Sequence, residues 1–120
     1  MVNEIEIIEN AFNSIEKINS NSDKEILEAI NNVIEKIDNG SLRVADKSQN
    51  DWQVNEYAKK AILLYFRIKD MKLISGGPDQ SNWWDKIDPK FNSWDENKFE
   101  EAGFRAVPGS VVRYGSFIGK

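Results

Sequence analysis

Arg105 is the residue whose type and setting most invite a chemical role. It lies in "GFRAVPGSVVRYGSFIGK", Gly103 to Lys120, after a Gly-Phe pair and before a Pro-Gly turn. Arginine is rare here, four residues beside twelve lysines. A position that keeps Arg gains what Lys lacks, a planar fork that grips a carboxylate through two parallel hydrogen bonds. A surface ion pair with Glu100 or Glu101 is the competing reading, and composition leaves the two even.

Other chemistry is narrowly bounded. The chain has no His and no Cys, so the commonest general base, the base of ordinary triads, thiolate metal sites and disulfides are all missing. Independent catalysis would fall to Asp, Glu, Lys or Tyr, and no residue is assigned a catalytic role. The Trp83-Trp84 pair could stack on a sugar or a base, but packing of a Pro-containing region onto a core or interface is the favoured reading. "SGGP" lacks the Lys-Ser/Thr and helix start of a phosphate-binding loop and reads as a turn. The acidic runs "EIEIIEN" and "DENKFEE" suit solvated helix faces and helix starts, so neither is read as a metal or cofactor site.

A net charge of -4 and scattered lysines argue against a nucleic-acid partner. No apolar run reaches 18 residues, so no membrane partner is expected. The opening "MVNEIEIIENAF" carries acids where a signal peptide needs bases. A cytoplasmic location is the default. At 120 residues with 40% apolar and 30% charged side chains, one globular domain fits the length.

The elements that must position Arg105 follow from periodicity. Ile5, Ile8, Phe12, Ile15 and Ile18 describe one amphipathic helix. Ser22 and Glu25 suggest a capping box, and Ile26 to Ile37 a second helix stopped at Gly40. The two form an antiparallel hairpin. Leu42 and Val44, then Trp52 and Val54, alternate as strands, with the polar "DKSQND" between them a hairpin turn or short loop. Asn55 caps a third helix, apolar nearly all round from Ala61 to Ile68 and therefore central to the core. Met71, Leu73 and Ile74 suggest another strand before the "SGGPDQSN" loop. Pro89 forbids a regular helix through the aromatic stretch that follows. Ser93 and Glu96 suggest a second capping box for a helix from Trp94 to Ala102, closed by Gly103, with Phe104 to Val107 extended. The fold class is α+β, mostly helical, with a small antiparallel sheet.

From Val112 a six-residue rhythm starts: "VRYGSF" has an aliphatic first position, Ser116 fifth, and Ile118 opening the next hexad. That spacing marks a left-handed parallel β-helix, which needs stacked coils to bury its core. Together "GSLRVADK", "EYAKKAILLYFRIKD", "FEEAGFRAVP" and "VVRYGSFI" make the chain resemble the N-terminal part of the tetrahydrodipicolinate N-succinyltransferases. The resemblance covers essentially the whole chain. It implies an N-terminal α+β domain over 1–108 and the beginning of a truncated hexapeptide-repeat β-helix over 109–120.

The same resemblance implies transfer of succinyl from succinyl-CoA to the amino group of ring-opened tetrahydrodipicolinate, in diaminopimelate and lysine synthesis, by a homotrimer. It places the substrate-contacting Arg of the family on Arg105, as a ligand of the dicarboxylate. The family's acidic catalytic residue and CoA-binding surfaces fall beyond Lys120, so this chain alone is expected to bind no cofactor and to be inactive. Its last ten or so residues are expected to be disordered, folded back or engaged in a contact. A rival reading is a non-catalytic helical interaction module derived from that enzyme.

Overall fold

The computed structural model of the chain describes residues 3–120. Helix α1, Glu4–Asn13, starts at a capping box: Asn3 Oδ1 accepts from the Glu6 N–H at 2.8 Å, and the Glu6 carboxylate accepts from the Asn3 N–H. The helix stops earlier than the Ile5 to Ile18 periodicity suggests. Ser14 breaks it, and a 3-10 turn over Ile15–Lys17 carries Ile18 into the core. Arg67 supplies the physical reason. Its guanidinium donates to the carbonyls of Glu16 and Ile18, giving the freed backbone acceptors a partner.

Helix α2 spans Lys24–Asp38. Its N-cap is Asp23, not Ser22, whose hydroxyl accepts from the Asn19 N–H in the preceding turn. The helix ends as expected at Gly40, with φ +83. Helix α3, Glu56–Ile68, packs against both α1 and α2. Ile8, Ile30, Val33 and Leu64 are fully buried where the three meet, and Ala58 and Ala61 let the backbones approach. Leu63 and Phe66 remain exposed, so α3 is central without being buried all round.

The strands form two separate two-stranded antiparallel sheets rather than one. In the first, β1 (Ala45–Ser48) pairs with β2 (Asp51–Val54), with Ser48 opposite Asp51. Only Gln49 and Asn50 turn, both at positive φ, which matches the twist of a two-residue hairpin. Most of "DKSQND" is therefore strand, while Leu42 and Val44 pack against the core ahead of it. In the second sheet, β3 (Lys72–Ile74) pairs with β4 (Trp83–Asp85). Both hairpins project, and the radius of gyration is 16.2 Å, above the roughly 14 Å expected of a sphere-like chain this long.

The core sets an alkaline limit on stability. Burial pushes the Tyr65 phenol up to about 12 and also raises that of Tyr114. The Glu4 carboxylate accepts a hydrogen bond from Lys36 and raises that ammonium as well. A folded-state value above the unfolded one means that the folded chain binds more protons, so stability falls as pH rises. Urea midpoints should hold below about pH 10 and decline between about pH 10 and 12. Tyr65→Phe should make that decline shallower; an unchanged slope would assign it to other groups.

Candidate functional site

Helix α4, Glu96–Ala102, carries the chain toward Arg105. Its N-cap is Asp95, which accepts from the Lys98 N–H at 2.9 Å, so the box proposed for Ser93 and Glu96 does not form. Trp94 is instead drawn into a cluster with Phe91, Phe99 and Phe104, whose ring centroids lie 4.8 to 5.9 Å apart. Gly103 ends α4 at φ +78 as expected. Phe104 is thus anchored on one side of Arg105 and the turn at Pro108 and Gly109 lies on the other. Residues 104–107 belong to no strand ladder.

Each of the other arginines has a structural task. Arg67 holds the carbonyls near Ile18, Arg113 pairs with Asp85, and Arg43 lies 5.1 Å over the Phe117 ring. Arg113 holds the Asp85 carboxyl below the usual carboxylate range by donating to it. Among the described residues Arg105 has neither an ion pair nor a hydrogen-bond partner, and the pairing with Glu100 or Glu101 does not form. Its guanidinium is exposed and its five N–H donors are open to a planar anion.

Beside Phe104 lies an open cleft of about 430 Å³, walled by Asp38, Lys90, Trp94, Phe104, Phe117 and Ile118. Lys98, Glu101 and Lys120 add charge to its lining; Arg105 follows the wall in sequence but is not part of it. Sequence reasoning missed the polar centre of this wall. Lys90 Nζ donates to the Asp38 carboxylate at 2.7 Å and to the Asp38 carbonyl at 3.0 Å, with the Lys90 side chain only 6% exposed. Asp38 and Lys90 stand 52 residues apart, so no local spacing could announce them.

The packing expected of Trp83 and Trp84 does not bring them into this chain's core: both are exposed, at 48% and 66%. Trp84 sits opposite Leu73 on the projecting β3–β4 hairpin. "SGGP" forms a loop leading to a short 3-10 turn at Pro78–Gln80. The C-terminal segment takes the folded-back arrangement. Lys90 N–H donates to the Val112 carbonyl and Tyr114 N–H to the Asp88 carbonyl, each at 2.9 Å, with a single antiparallel bridge between Pro89 and Arg113.

Arg105 thus presents an exposed guanidinium on a backbone anchored by Phe104. The family model described as the N-terminal part of tetrahydrodipicolinate N-succinyltransferase matches residues 5–68, over half of the chain. The chain belongs to the tetrahydrodipicolinate N-succinyltransferase N-terminal family. Within that succinyltransferase family it is 45% identical, over 95% of its length, to the 2,3,4,5-tetrahydropyridine-2,6-dicarboxylate N-succinyltransferase of Agrobacterium fabrum. It is 48% identical to the enzyme of that name from Bradyrhizobium diazoefficiens and 50% identical to that from Cereibacter sphaeroides, each over 94% of the chain. It covers 40% to 41% of these proteins, so it spans about two fifths of the length of the succinyltransferases it matches. No helix among the described residues is long and apolar enough to cross a membrane.

Proposed function

We propose that this chain supplies the N-terminal domain, residues 1–108, of an N-succinyltransferase acting on tetrahydrodipicolinate, and that Arg105 grips a carboxylate of that dicarboxylate substrate. Residues 109–120 begin the hexapeptide-repeat β-helix of the trimeric enzyme, which takes succinyl from succinyl-CoA and places it on the ring-opened amino group in diaminopimelate and lysine synthesis. The observation that carries the reading is Arg105 itself, the one arginine of four without an intramolecular partner among the described residues, held between an anchored Phe104 and a Pro-Gly turn.

The Mechanism assigned to this chain is binding and orientation. The planar guanidinium fork fixes both the position and the plane of a carboxylate. Fixing that group restricts how the rest of the substrate, including its amine, faces an acyl donor. In this reading the chain contributes binding and orientation, and succinyl transfer requires the remainder of the enzyme.

Calorimetric titration with L-α-aminopimelate, an acyclic dicarboxylate bearing an amine, tests the reading. A hydrogen bond to a charged group contributes about 1.5–3 kcal/mol, so Arg105→Ala should weaken binding by roughly 10- to 150-fold. Equal affinity in both proteins would remove Arg105 from the site. Succinyl-CoA consumption above a buffer blank, in the same aggregate-free sample, would show that the chain needs no further part.

A further inference from the structure

We infer that Asp38 is a latch: with the part-buried Lys90 it holds the C-terminal segment Val112–Ile118 in one register against the wall that carries Phe104, the neighbour of Arg105. One carboxylate oxygen serves both sides. Asp38 Oδ1 accepts from Lys90 Nζ at 2.7 Å and from the Gly115 backbone N–H at 2.8 Å. Gly115 takes φ +101, a left-handed backbone that aims this amide at little cost only in glycine.

Lys90 extends the connection in three directions. Its ammonium is tied to the end of α2 through Asp38, its backbone N–H donates to the Val112 carbonyl, and its charge lies 5.8 Å from the Trp94 ring centroid. Trp94 in turn packs at a tilt against Phe104, the neighbour of Arg105, with ring centroids 5.9 Å apart. Beyond Gly115, Phe117 folds over Gly40, where a Cβ would meet the ring at 2.5 Å. The end of α2, the aromatic cluster and the C-terminal segment therefore share one part-buried charge pair. Opening the segment exposes Lys90 and Asp38 to water together, so the latch should release locally, without unfolding the helices.

In the reading proposed above, whatever follows Ile118 inherits this register, and Asp38 becomes a positioning residue for the surface that faces Arg105. That functional meaning rests on the reading, whereas the latch does not. Its test is amide hydrogen exchange on the unliganded chain, so it can fail while the Arg105 titration succeeds, and the reverse.

Asp38→Ala should speed exchange at the Tyr114 and Gly115 amides by about tenfold or more while the α3 amides from Ala61 to Tyr65 change by less than about twofold. Lys90→Met keeps the side-chain length and removes the charge, and should speed exchange at the Lys90 and Tyr114 amides in the same selective way. If Asp38→Ala does not fold, Lys90→Met decides by this criterion. Acceleration spread evenly over α3 and the C-terminal segment, or no acceleration at either, would overturn the latch.

Discussion

Leu64→Ala should lower the unfolding free energy by about 2–5 kcal/mol, the range for deleting a fully buried Leu side chain with only partial collapse of the site. Leu64 is fully buried on α3, the helix that contacts both α1 and α2. The cavity would open at the junction of all three helices. Ile8, Ile30 and Val33 belong to the same core cluster and are also fully buried, so a densely packed interior would close the cavity only in part. Domains of this size are stable by only about 5–15 kcal/mol, so the variant should have a much lower urea midpoint and sit near unfolding at growth temperature. A loss under about 1 kcal/mol would show that α3 is not the centre of the core.

Phe91→Ala should have the second largest effect, and it should be local. Phe91 contacts Trp94, Phe99 and Phe104 at 4.8, 5.2 and 5.6 Å. Each aromatic pair is worth about 0.5–1.5 kcal/mol beyond its buried area, so about 1.5–4.5 kcal/mol of local stabilisation is removed with the ring. Helix α4 has seven residues, well short of the 12–15 or so at which an isolated helix becomes even marginal in water. It depends on this cluster, and so does the backbone that presents Arg105. The expected result is loss of near-ultraviolet circular dichroism and at least about tenfold faster amide exchange from Phe99 to Gly103. L-α-Aminopimelate should bind more weakly although Arg105 itself is retained. Unchanged exchange in α4 would mean that the helix is held by something other than the aromatic cluster.

How much of this was legible in the sequence depends on how local the cause was. The faces of α2 and α3 announce themselves through apolar spacing, because each buries one continuous stripe. Gly40 and Gly103 end their helices because each adopts positive φ. Caps were less legible. Ser22 and Ser93 both precede a Glu by three residues, yet Ser22 is committed to the Asn19 turn and Trp94 to the aromatic cluster. Asp23 and Asp95 take the N-cap positions instead. The β1–β2 hairpin was legible through Trp52 and Val54, but its bounds were not, because both strands are exposed and leave no alternation of burial to read.

At the site, the scarcity of arginine pointed to Arg105, and the structure adds that its three fellows are occupied elsewhere. The Asp38–Lys90 pair was invisible for the opposite reason. Lysine and aspartate are common here, and only the fold brings two of them, 52 residues apart, into one part-buried contact.

Gly40 carries a consequence for how this gene can drift. Every missense change at a glycine codon adds a Cβ, and here that atom faces both a backbone at φ +83 and the Phe117 ring. The position therefore has no neutral neighbour one base away: the third base of its codon is free, while the first two are tied to an aromatic residue 77 positions downstream. A lineage could change Gly40 only after Phe117 had moved aside or been replaced, which makes the order of the two substitutions, and not only their identity, a property of the fold.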